Sequence, residues 1–133
     1  MHTQLRLRPL WLAIGWAMLG AVVFLSLTDS PPEVVDFPLA DKLEHLLAYA
    51  VLMGWFGQIH TATRSQRTWL AALALMGVAI EYLQGWGGVR HFEPADMLAN
   101  ALGALLGYRL ARGPLAGSLA RLERRLAGGR TPT

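Results

Sequence analysis

Cysteine is absent from the 133 residues. That excludes disulfides, thiolate-ligated zinc, iron–sulfur clusters and a cysteine nucleophile. Charge is scarce: Asp, Glu, Lys and Arg make up 16% of the chain, against about a quarter in soluble domains. The chain is too apolar, at 53% hydrophobic residues, to be disordered. It is also too poor in charge to cover a water-soluble globule. Serine is sparse and occurs at positions 26, 30, 65 and 118, and no Gly-x-Ser-x-Gly is present. A nucleophile-elbow hydrolase is therefore unsupported.

What is present is a series of apolar segments near membrane length, over residues 9–28, 42–59, 68–84 and 94–110. A membrane span needs about 20 mostly apolar residues. The expectation is an all-α, polytopic membrane protein, a bundle of four transmembrane helices joined by short loops. The first segment follows Arg6 and Arg8, as a signal peptide would. It is longer than a signal core and lacks a small-x-small cleavage site, so it reads as a retained helix. Residues 60–67 read as a polar turn, and Gly113-Pro114 ends the fourth segment. Leu115, Leu119, Leu122 and Leu126 recur at helical spacing between Arg121, Arg124 and Arg125. This pattern suits a basic amphipathic helix on a membrane surface, or a frayed basic tail. Residues beyond 127 read as disordered. The expected division is a transmembrane domain over 1–112, with its motif-bearing core over 41–107, and a basic cytoplasmic tail over 113–133.

Lys and Arg near span ends orient membrane proteins. With the N-terminus inside, Arg6, Arg8, Arg64, Arg67, Arg109, Arg112, Arg121, Arg124, Arg125 and Arg130 are cytoplasmic, and only Lys42 and Arg90 lie outside. Both termini are thus expected in the cytoplasm. The arginines are split among separate segments, so the basic balance reads as inner-face charge and not as a nucleic-acid footprint.

The polar residues of the spans collect on the other face. Asp41, Lys42, His45 and Tyr49 open the second segment, Glu81 and Gln84 close the third, Arg90 follows, and Asp96 and Asn100 open the fourth. Ionisable residues inside spans are functional suspects. Asp41, His45 and Tyr49 are four apart and share one stripe. Asp96, Asn100, Gly103 and Gly107 share another, and the two glycines permit close helix approach and packing.

Three readings follow from the residues. The cluster is a structural polar clamp. Or it is an outward-facing pocket, in which Lys42, Arg90 and His45 bind an anionic lipid head group. Or His45 with Asp41 or Glu81 is a general acid/base pair acting on a lipid phosphate. Asp41, His45, Glu81 and Asp96 could offer ligands to a metal, but Lys42 and Arg90 oppose a cation, so no metal is expected. No cofactor is implied. The tryptophans suit an interfacial belt, with Trp86 also able to stack on a ligand. Four short helices leave room for a homodimer.

The run Asp41-Lys42-Leu43-Glu44-His45-Leu46-Leu47-Ala48-Tyr49 resembles the DKxxHxxxY signature of VanZ-like membrane proteins. Glu81-Tyr82-Leu83-Gln84 resembles their ExxQ element, and Arg90, Phe92, Asp96, Asn100, Gly103 and Gly107 match their third motif in order and spacing. His91 and Glu93 are not carried over. The resemblance implies a bacterial protein of the cytoplasmic membrane and a link to teicoplanin-type glycopeptide susceptibility. The expected ligand is then an envelope lipid or a lipid-linked cell-wall precursor on the outer face.

Overall fold

Two prolines mark where helices begin. Pro9 and Pro94 fall in opening turns, where a missing N–H costs nothing. The computed structural model describes residues 5–28, 40–88 and 93–128. Among them the chain is all-α, with α1 (Arg8–Ser26), α2 (Ala40–Ile59), α3 (Thr63–Trp86), α4 (Pro94–Arg112) and α5 (Ser118–Leu126). At 1.5 Å per residue, α1 and α4 are about 28 Å long and α3 about 36 Å.

The four long helices run alternately up and down. His45 pairs with Asn100, a side chain at Gly103 would strike Leu46, and one at Gly57 would strike Ala111. Numbers therefore rise together along α2 and α4, and these helices are parallel. Gly103 and Gly107 make this approach: a Cβ would meet the Leu46 carbonyl carbon at 2.9 Å and the Gly54 nitrogen at 2.8 Å. The expected small-residue seam thus exists, and its partner is α2. Helix α3 runs the other way, with Gln66 reaching the Gly57 carbonyl at 2.8 Å and Gly77 lying under Asn100.

Tyr49, Leu52, Met53, Phe56, Leu73 and Ala104 form the main apolar core. Phe56 stacks on Trp69 with ring centroids 3.9 Å apart, and Trp16 meets Phe56 edge-on at 5.7 Å. Gly15 lets α1 sit close, since a Cβ there would touch the Phe56 ring at 2.9 Å.

Outside this core the usual distribution is inverted. Gln66, Glu81, Gln84, Asp96 and Asn100 are buried, while Phe24, Val51, Leu75, Leu98 and Leu102 are exposed. Only Trp11 and Gly15 of α1 are buried. Polar side chains inside and an apolar exterior suit a lipid solvent.

Three expectations change. Among the described residues, two helices, α1 and α3, are long and apolar enough to cross a membrane, not four. Helices α2 and α4 carry too many polar side chains to pass on composition, because they hold the polar cluster. The polar turn shrinks to residues 60–62, since α3 begins at Thr63 and includes Arg64 and Arg67. Finally, the basic segment folds back onto the bundle. Leu119 is buried with Trp11 and Ile59, while Leu122 and Leu126 stay exposed. The expectation of disorder beyond 127 falls mostly on residues 129–133, outside the described residues.

The contact that holds α5 is a carboxylate at the start of α1. Glu123 accepts hydrogen bonds from the Arg6 and Leu7 N–H groups at 2.6 and 2.7 Å and from the Trp11 indole at 2.7 Å. Helix α1 has no local side-chain cap, so Glu123 supplies its orphan donors with an acceptor and meets the positive end of its dipole.

Candidate functional site

Helix α2 enters the bundle through Asp41, Lys42 and His45, and the start of α4 lies beside them. The Lys42 ammonium is 3.4 Å from Asp41 Oδ2 and 2.5 Å from Asp96 Oδ1, and it also pairs with Glu93. It is the hub of three carboxylates. Asp96 is the buried one, with a side chain 7% exposed, whereas those of Asp41 and Glu93 are about half exposed.

His45 lies one turn deeper. Its Nδ1–H donates to Asn100 Oδ1 at 2.9 Å. That bond puts the proton on Nδ1 and turns Nε2 toward the carboxylates, 3.6 Å from Asp96 and 3.7 Å from Asp41. Gly77 is why Asn100 fits: a Cβ there would come within 2.9 Å of the Asn100 Cβ.

Glu81 closes the site from α3 and is 1% exposed. Its Oε1 accepts the Glu93 N–H at 2.6 Å, and its Oε2 is buried without a hydrogen-bond partner among the described residues. The Tyr49 hydroxyl, on the same stripe of α2 as His45, is likewise buried and unpartnered. Such groups are uncommon and costly inside a protein. They leave an acceptor and a donor available at this end of the bundle.

Most expected site residues therefore gather at one end. Asp41, Lys42, His45, Asp96 and Asn100 touch one another, and Glu81 joins through Glu93. Gln84 is buried here too, with its amide nitrogen donating to the Ser26 carbonyl of α1 at 2.6 Å. Gly103 and Gly107 lie deeper on the seam. Arg90 lies outside the described residues. Trp86 is 89% exposed at the end of α3. Glu93 is the residue the sequence reading left out. Its position just before Pro94 was the available signal, since the residue preceding a helix commonly makes tying contacts.

Asp41, His45 and Asp96 could hold a small cation, since one ligand atom from each lies within 4.8 Å of the others. Lys42 already places a positive charge on Asp96, which opposes a second cation. Among the described residues Lys42 is the cation paired with Asp41, Glu93 and Asp96, and Glu81 adds a further carboxyl, so this end is acidic.

Among the described residues the remaining basic side chains lie toward the opposite end. Arg8 donates to the Ile59 carbonyl at 3.2 Å, and Arg112 contacts Thr63 and Gln66. The acidic cluster and the arginines thus occupy opposite poles, as the charge count along the sequence implied.

The VanZ/LLP1 family model matches residues 19–117. No curated protein and no solved structure gives a significant match. The matched stretch contains the whole polar cluster and both glycines of the seam. The chain belongs to the VanZ/LLP1 family.

Proposed function

We propose that this protein crosses the bacterial cytoplasmic membrane four times and binds the head group of an envelope lipid, or of a lipid-linked cell-wall precursor, at its outer end. The observation that carries the reading is the pair of buried, unpartnered groups, Tyr49 OH and Glu81 Oε2, at the acidic pole of a bundle with an apolar exterior. In this reading the polar helices α2 and α4 span as a pair, shielded by α1 and α3.

The acidic excess changes the expected head-group chemistry. Lys42 is engaged by three carboxylates, so phosphate recognition falls mainly to Arg90. Glu81 favours a ligand that also brings hydroxyl or amine donors. Sugar-bearing and amine-bearing lipid phosphates meet both requirements. An effect on glycopeptide susceptibility would follow from holding such a lipid at the outer leaflet.

A second reading is acid/base catalysis on the same lipid phosphate. The Asp96–His45–Asn100 arrangement favours it, because Asn100 fixes the ring tautomer and Asp96 faces the other nitrogen. Tyr49 is the hydroxyl on that stripe.

Native mass spectrometry of the purified protein separates these readings. Wild type should retain a specific lipid, and folded Tyr49→Phe, Glu81→Gln and Arg90→Ala should not. Retention by all four, or by none, removes the binding reading. A change in lipid mass on incubation supports catalysis instead. Cysteines introduced at Ser30 should label from outside cells, and those at Ser65 and Ser118 only after permeabilisation. The reverse pattern overturns the topology.

A further inference from the structure

At the arginine-rich pole, far from the acidic cluster, the ends of α2 and α4 and the starts of α3 and α5 line an open cavity of about 340 Å³, with Arg112 at its exposed rim. Its volume lies in the lower part of the range for small-ligand sites. Polar lining comes from Gln58, Thr61, Thr63, Gln66 and Arg112, and no carboxylate is among the lining residues.

The cation in this cavity is held in place. Arg112 Nη1 donates to Thr63 Oγ1 at 2.9 Å and to Gln66 Oε1 at 3.1 Å. The guanidinium carbon lies 5.6 Å from the centre of the Tyr108 ring. Gln66 is itself 4% exposed and anchored, since its amide nitrogen donates to the Gly57 carbonyl at 2.8 Å. Its other end is therefore a fixed acceptor that sets the guanidinium plane. Every ion pair among the described residues lies at the acidic pole, so Arg112 has no carboxylate partner there. The start of α3 adds to the field, because Ala62 provides no capping side chain and the helix dipole is positive at that end.

We propose that this cavity is a second binding site, for a phosphate group, with Arg112 as its anchor. An oriented guanidinium with no acid beside it, at an uncapped helix start, matches the charge and fork geometry of phosphate. The phosphate belongs either to a lipid head group of the adjacent leaflet or to a soluble phosphate. The far wall is formed by Leu5, Ala116, Gly117 and Ala120, so occupation is coupled to the docking of α5.

Calorimetry on the full chain in phosphatidylcholine nanodiscs tests this, with inorganic phosphate and dioctanoyl phosphatidic acid as separate probes. At least one probe should bind saturably, and Arg112→Gln should weaken it tenfold or more. Arg112→Lys keeps the charge but loses the fork, and should still weaken it several-fold. Arg64→Gln, next to Thr63 in the chain but outside the cavity lining, should change affinity less than twofold. Binding by phosphatidic acid alone assigns a lipid source, and equal binding of inorganic phosphate assigns a soluble one. Absence of saturable binding in wild type overturns the proposal. So does equal weakening by Arg64→Gln and Arg112→Gln, which marks diffuse attraction to a basic face. If Arg112→Gln fails to fold by circular dichroism, Arg112→Lys and Thr63→Val decide the matter by the same criteria.

Discussion

The Glu123 carboxylate accepts a hydrogen bond at 2.7 Å from the indole of Trp11, a residue 112 positions away. With the two backbone bonds from Arg6 and Leu7, it caps the first helix of the chain from the last described one. Glu123→Gln replaces one acceptor oxygen with an NH2 that faces N–H donors. We expect α5 to undock while α1–α4 persist. Trypsin should then cleave at Arg121, Arg124 and Arg125 at least tenfold faster than in wild type, with little change in helical circular dichroism.

The same contact predicts a pH dependence. Burial works to raise the Glu123 pKa, but the Leu7, Trp11 and Arg6 hydrogen bonds outweigh it and hold the carboxyl below its ordinary 4.5. Its contribution is complete above 4.5 and is lost as pH falls through the lowered value. His60 acts earlier on the same pole. Burial, and then the neighbouring Arg8, push its pKa below 6.5. The unfolded chain therefore takes up that proton first, and stability declines as pH falls from about 6.5. Protease protection of α5 in wild type should weaken in two stages on acidification, and Glu123→Gln, with α5 already undocked, should show neither.

The α2–α4 seam tolerates no side chain at Gly103 or Gly107, where a Cβ would run into the backbone of α2. Gly103→Val and Gly107→Val should each destabilise the bundle by about 1–3 kcal/mol, the range for overpacking. Gly20 has nothing within 4 Å of a Cβ, so Gly20→Val should cost far less. Thermal unfolding in detergent compares the three.

Lys42 discriminates among its carboxylates by burial. Glu93→Gln removes a half-exposed partner and should cost under about 1 kcal/mol. Asp96→Asn leaves Lys42 short of its most buried partner and also removes a charge facing His45. The expected loss is about 3 kcal/mol. Reversal of that order in denaturation experiments would contradict the hub geometry.

Tyr49→Phe separates a ligand role from a packing role. The hydroxyl has no hydrogen-bond partner among the described residues, so its removal should leave the melting temperature unchanged or raise it. Lipid retention should nonetheless fall. An unstable Tyr49→Phe would show that the hydroxyl serves folding.

Much of the site was legible in the sequence because it is written in local periodicity. Asp41, His45 and Tyr49 recur by fours, and Asp96, Asn100, Gly103 and Gly107 by fours and a three, and each series defines a helix stripe. Those two stripes do meet. The start of α3 was not legible, since its polar opening residues, Thr63 to Arg67, carry no apolar signal. Gly77 was missed because its purpose, making room for Asn100, exists only between helices. The Glu123 cap depends on contact across more than a hundred residues, which no spacing rule encodes. The side chains that build the site are also those that keep α2 and α4 from passing a hydropathy test for spans.

The parallel run of α2 and α4 has a consequence for biogenesis. Their mutual partners are separated in the chain by the whole of α3, so α2 emerges from the ribosome with Asp41, Lys42 and His45 still lacking Asp96 and Asn100. Left alone in lipid, that helix would hold uncompensated polar groups. In the proposed four-span topology, the polar groups of α2 would gain their partners only once α4 has been made, so the two helices are expected to enter the membrane together.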